Sequence, residues 1–291
     1  MDPKQKQNAQ KLDSKELQNI EEGEVIATAE KKADEKKPRD LKKRIKMIGI
    51  AAGIILVLLL VCICSSATIS LVKAFGSQNV ISEERDVDSF KEIESNVKVN
   101  IIFEQGSPSL EIEAEDNIID RITTEVQNGK LVIKKKSSFP NLFNFLFPRK
   151  DINITVSSTD LDSIVINGNG KFTADTLTLD SLKITTSGSS NIDIASLKAF
   201  ELKSTINGSA KYEISGELER QTITINGSGD YYAENLVTED ITIDINGSGN
   251  VQVNALDELD IDIAGSGEVQ YKGDPRITQN ISGSGSVNKI E

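Results

Sequence analysis

Apolar and polar residues alternate in short runs along the C-terminal part of the chain, and the alternation returns with a nearly fixed period. Residues 241–253 read Ile-Thr-Ile-Asp-Ile-Asn-Gly-Ser-Gly-Asn-Val-Gln-Val: an alternating strand, a glycine turn, and a second alternating strand. The same pattern recurs around Gly168, Gly188, Gly208, Gly227, Gly247, Gly265 and Gly283, at intervals of 20, 20, 19, 20, 18 and 18 residues. Two positions before these glycines stand Ile166, Thr186, Ile206, Ile225, Ile245, Ile263 and Ile281. Four before stand Ile164, Ile184, Ser204, Ile223, Ile243, Ile261 and Gln279, and four after stand Phe172, Ile192, Tyr212, Tyr231, Val251, Val269 and Val287. Side chains along a strand alternate between its two faces, so these rows line an interior while the Thr/Asp/Asn row between them faces water.

One such unit has nothing against which to bury its apolar side. Stacking the copies at about 4.8 Å per coil buries a continuous column, and seven coils would extend about 30–35 Å. A fixed period of this kind marks a solenoid. The predicted fold is therefore all-β: a single-stranded β-solenoid, or β-helix, with coils of 18–20 residues. A meander of two-residue hairpins is the alternative. The long interval between turns opposes it, as do Leu179, Leu197, Leu218, Leu236 and Leu256, which predict a further buried corner.

The repeated Ile-Asn-Gly-Ser-Gly turns close with Ile-Ser-Gly-Ser-Gly-Ser-Val at 281–287, after Tyr-Lys-Gly-Asp-Pro at 271–275. With the opening segments 85–93 and 97–101, they resemble the bacterial family called putative auto-transporter adhesin, head GIN domain. That resemblance runs from about Ser82 to the C-terminus. It implies a β-helical surface or periplasmic domain and a suggestion of adhesion, and it brings no catalytic residues.

Upstream the pattern changes. Residues 1–46 are rich in Lys, Glu and Gln, with 13 basic and 10 acidic side chains and no aromatic. Such a stretch buries too little to offset its ordering entropy, so it is expected to be a disordered, charged tail. Residues 47–64 carry no charge and are apolar, and Leu-Lys-Lys-Arg-Ile-Lys at 41–46 lies just before them. About 20 helical residues cross a bilayer core, and basic flanks stay inside. One transmembrane helix over 47–69 is therefore expected, with the N-terminus in the cytoplasm and the C-terminal domain extracellular or periplasmic. The rival is a signal peptide cleaved after Ser65-Ser-Ala67; the long n-region and long apolar run favour an uncleaved anchor. A linker over 70–81 leads to the β-domain at 82–291. Its part 82–158 is irregular and forms a cap, with alternating strands over 97–104, 110–115, 122–126 and 131–136 and an Asn128-Gly129 hairpin turn. Its part 159–291 holds the regular repeats.

Composition then narrows the function. The 291-residue chain has net charge −12, no His, no Trp and two Cys, both within the apolar run. Beyond residue 46 the balance is −15, which argues against nucleic acid as a partner. Without histidine or a cysteine in the β-domain, the common nucleophile–base pairs and zinc sites have no residues to build them. No cofactor and no metal site is expected. Asn207, Asn226 and Asn246 match glycosylation sequons, but turn chemistry explains each. Two binding candidates remain. Asp244 and Asp262 share an outward position on successive coils, about 5 Å apart, the separation used by retaining glycosidases. Residues 138–148 hold four of the nine phenylalanines, including Phe143, Phe145 and Phe147, as an end plug or an exposed apolar loop.

The expected function is a membrane-anchored solenoid with a binding or structural role and no catalysis. Its partner would be a protein or polysaccharide of the envelope. A transmembrane sensor signalling through residues 1–46 is one alternative. A carbohydrate-active enzyme using Asp244 and Asp262 is the other.

Overall fold

The structure is a computed structural model that describes residues 79–136 and 150–291. The expected tail, membrane helix and Phe143, Phe145 and Phe147 lie outside the described residues. Among those described, no helix is long and apolar enough to cross a membrane.

The regular part opens with β8 (Ser163–Gly168), β9 (Lys171–Thr178) and β10 (Ser181–Gly188). It continues through the long bent strands β11 (Asn191–Gly208), β12 (Lys211–Gly227), β13 (Asp230–Gly247) and β14 (Asn250–Gly265), and ends in β15 (Glu268–Lys272), β16 (Arg276–Gly283) and β17 (Ser286–Lys289). All pairings among these strands are parallel, coil to coil, with β16 and β17 of the last coil paired on one side only. Seven corner glycines bound about six turns of β-solenoid, one fewer than the seven coils counted from the turns alone. The meander is excluded, because hairpins would pair antiparallel.

The register places each predicted row in a vertical stack. Phe172, Ile192, Tyr212, Tyr231, Val251, Val269 and Val287 are successive partners. So are the two isoleucine rows before the glycines. All of these side chains are buried except in the last coil, where β16 is exposed along its length and Ile277 and Ile281 are 38% and 37% accessible.

The leucine row needs correction. Leu179, Leu197, Leu218 and Leu236 are buried, but Leu197 and Leu236 share one stack with Leu177 and Gly216, while Leu218 lies in another with Ala199, Thr238 and Ala255. Leu256 is 48% exposed, and Ala255 takes the buried corner in its place. The shorter coil of β14 slips register there and turns the leucine outward.

The N-terminal part stacks out of chain order. It comprises β1 (Val80–Glu84), β2 (Glu92–Ser95), β3 (Asn100–Gln105), β4 (Ser109–Glu115), β5 (Ile122–Gln127), β6 (Lys130–Lys135) and β7 (Asn153–Ser158). The coil β2–β3 lies between β8–β9 on one side and β6–β7 on the other. Beyond that, β5 pairs antiparallel with β6, while β4 pairs antiparallel with β7 and β1 with β4. These antiparallel strands lie over the end of the parallel stack and cover its edge. Asn128 and Gly129, both with positive φ, make the predicted hairpin turn. Arg85 fastens the cap, donating to the carbonyls of Ile119 (3.1 Å) and Ile122 (2.7 Å) and pairing with Glu83 (2.7 Å).

Thr186, Ser204 and Gln221 are buried polar residues in otherwise apolar rows, and the structure explains them together. Tyr212 and Tyr231 are wholly buried, with ring centroids 5.5 Å apart. Tyr212 Oη donates to Thr186 Oγ1 at 3.2 Å, Gln221 Nε2 donates to Tyr231 Oη at 2.8 Å, and Ser204 Oγ lies 3.1 Å from the same hydroxyl. Gln221 occupies a position that is Leu182, Leu202, Ile241 and Leu259 in other coils. A buried phenol needs a partner, so each tyrosine is matched by polar residues where other coils have aliphatic ones.

Burial also raises both tyrosine pKa values above the ordinary one, that of Tyr231 to about 12. The unfolded chain releases this proton from about pH 10 while the folded chain keeps it. Through that window the unfolded state binds fewer protons, so stability falls as pH rises, by about 1.4 kcal/mol per pH unit for one such tyrosine. Urea unfolding at pH 9, 10, 11 and 12 is expected to show a flat midpoint, then a steep decline. Between pH 5.5 and 8, with no histidine in the chain, it should barely move. A midpoint still unchanged at pH 11.5 would contradict the buried phenols.

Candidate functional site

Coil-to-coil register turns the outer surface into ladders. Thr173, Asp193, Glu213, Tyr232, Gln252, Gln270 and Asn288 form one, each the partner of the next. Gln252 Nε2 donates to Gln270 Oε1 at 2.9 Å within it. At the corner, Asn226 Nδ2 donates to Asn207 Oδ1 at 2.9 Å and Asn246 Nδ2 to Asn226 Oδ1 at 3.3 Å. The three sequon asparagines are thus members of one amide ladder.

Asp244 and Asp262 are register partners on the outward side of β13 and β14. Asp262 accepts from Asn280 Nδ2 at 3.3 Å, which extends that row as another ladder. Asp244 is half-buried and Asp262 exposed. Neither lines the cleft described next. Among the described residues, no group of three or more His, Cys, Asp and Glu is placed to hold a metal ion.

The cleft, of about 480 Å³, opens elsewhere on the flank of the solenoid. Its origin is a mismatch in coil length. The 19-residue coil containing β12 lies between two of 20. Glu213 pairs with Tyr232 and Gly216 with Leu236, so β12 spends two residues, Ile214 and Ser215, where β13 spends three, Ala233, Glu234 and Asn235. β11 likewise places two residues between Ile194 and Leu197 opposite the single Ser215 of β12. The missing residue leaves a notch, and the register is restored at Gly216. Only glycine fits there: φ is +134°, and a Cβ would stand 2.0 Å from the Leu197 carbonyl oxygen. Breaks in a ladder of this kind re-aim side chains.

Lys211, Glu213, Ser215, Tyr232, Glu234 and Asn235 line the notch, with Ile214 behind them. The Lys211 ammonium sits 5.2 Å over the Tyr232 ring and 2.6 Å from Glu213 Oε1. The hydrogen bond from Lys211 to Glu213 raises the lysine pKa. Lys211 and Glu213 offset one another, which leaves the site one negative charge, on Glu234. Sequence reasoning missed these residues. The signals were present: a single shortened interval, an additional glycine at 216, and a tyrosine in an outward row.

Residues 89–275 match the family described as "Putative auto-transporter adhesin, head GIN domain". The chain belongs to that family. Among solved structures, the head GIN chain is similar to a "putative adhesin" from Bacteroides fragilis, with 27% identity and a TM-score of 0.67, covering 74% of this chain and 98% of that one. It is also similar to a "putative lipid binding protein" from Parabacteroides distasonis, with 26% identity, a TM-score of 0.60 and the same coverage. A third, a "putative adhesin" from Parabacteroides merdae, shares the fold at 22% identity and a TM-score of 0.62. No curated protein matches the chain.

Proposed function

We propose that this head GIN protein is a membrane-anchored binding head without enzymatic activity. Residues 47–69 cross the cytoplasmic membrane once, residues 1–46 remain inside, and the solenoid stands outside, where its outward ladders meet a protein or polysaccharide of the envelope. The observation that carries this reading is the register itself: polar side chains repeat at the spacing of the coils over a rigid parallel stack, a preorganised array that loses little entropy on binding. The similar "putative adhesin" from Bacteroides fragilis supports it. Lipid binding, suggested by the similar "putative lipid binding protein" from Parabacteroides distasonis, has less support, because Ile, Phe and Tyr side chains fill the interior.

The test is fractionation of native cells with protease treatment from outside. An intact chain in the membrane fraction, cut only beyond about residue 75, is the expected result. A soluble product beginning near Thr68 would overturn the anchor. On the enzymatic side, D244N is expected to leave polysaccharide turnover by those cells unchanged.

A further inference from the structure

We infer that the notch between β12 and β13 is a saccharide subsite, with the Tyr232 ring as stacking platform for one uncharged pyranose. This deepens the binding-head reading and rests on it. Three observations converge. Tyr232 is the aromatic member of an outward ladder otherwise built from Thr, Asp, Glu, Gln and Asn, and it is half-buried; the Lys211 ammonium lies 5.2 Å over its ring, so a sugar stacks there by displacing that solvent-exposed side chain. Glu234, Asn235 and Ser215 line the same notch, and among the described residues their side chains have no hydrogen-bond or ion-pair partner. Lys211 and Glu213, on β12 with Ser215, add a donor and an acceptor to the same lining.

A pyranose suits this lining. Its C–H face packs on an aromatic ring, and its hydroxyls both donate and accept. Glu234 offers acceptors only, while Asn235 and Ser215 offer both kinds. One aromatic wall with a few convergent polar groups is the usual form of a small-ligand site. The negative charge on Glu234 disfavours phosphate, sulfate and acidic sugars. An extended peptide would have to add to a free strand edge, yet β12 and β13 are paired on both sides along their length apart from the notch. A lysine-bearing peptide could still replace Lys211 over the ring, so that ligand is the rival to be tested.

The experiment uses the full chain in a zwitterionic detergent without a sugar headgroup. It is applied to an array of neutral hexose, N-acetylhexosamine and deoxyhexose oligosaccharides, with acidic glycans and tetralysine alongside. At least one neutral glycan should bind, and Tyr232→Ala should weaken it by about tenfold or more. Tyr232→Phe should retain most of the binding because the ring remains, and E234Q should show an intermediate loss. Matching thermal unfolding of all three variants separates these effects from misfolding. Neutral-glycan binding that survives Tyr232→Ala would overturn the subsite and leave the binding-head reading standing. A preference for tetralysine would likewise overturn the saccharide assignment alone. Failure to bind any neutral glycan on the array would overturn the subsite, while the binding-head reading, which also takes a protein partner, would stand.

Discussion

Gly247→Ala is expected to destabilise the solenoid by about 4 kcal/mol or more, beyond the range of ordinary point substitutions. The reason lies in the stack. Gly247 has φ +141°, and a Cβ there would stand 2.1 Å from the carbonyl oxygen of Gly227 in the coil below. That oxygen is backbone, already accepting from the Ser248 amide at 2.8 Å, so it cannot retreat without separating two coils. Gly168 provides the control. Its φ is +114°, but nothing lies within 4 Å of where its Cβ would be. Gly168→Ala should therefore cost only the conformational penalty of about 1–3 kcal/mol. Urea unfolding followed by circular dichroism measures both. Equal losses at the two positions would mean that the coils are not stacked as closely as described.

Tyr231→Ala is expected to cost about 3–5 kcal/mol, as large-to-small changes at buried aromatics do. The ring is fully buried at mid-stack, against the Tyr212 ring. The more discriminating variant is Tyr231→Phe, which keeps the volume but leaves Gln221 Nε2 and Ser204 Oγ unpaired, at about 1–3 kcal/mol. Gln221 is already under-satisfied, since its Oε1 has no partner. Adding Gln221→Leu, which restores the residue type of neighbouring coils, should recover much of the loss. If the double variant were as unstable as the sum of the singles, the hydrogen bond would not be the source of the effect.

The outward ladders were legible because one repeat imposes one register. Once Ile243 is inward, Asp244 is outward, and the next coil places Asp262 beside it. The exceptions were visible but not interpretable. Thr186, Ser204 and Gln221 stand apart in their rows, yet their partners, Tyr212 and Tyr231, lie 10 to 27 residues away. A period relates each residue only to its own row. The cleft escaped for the same reason. A repeat that is one residue short reads as noise along the chain, but between two full-length coils it leaves a gap.

By itself the sequence determined the all-β solenoid, its parallel inward rows, its corner glycines and the hairpin at Asn128-Gly129, because each follows from strand alternation, backbone geometry and a constant period. Tertiary structure alone decided three things. The N-terminal coils stack out of chain order, since pairing partners for β2 and β3 are set by what covers the open end. Leu256 turns outward while Ala255 turns in, because a shortened coil must slip to keep its hydrogen bonds. The notch beside Tyr232 exists because three adjacent coils differ in length at one point, and side chains far apart in sequence converge only where the stacked backbones fail to match.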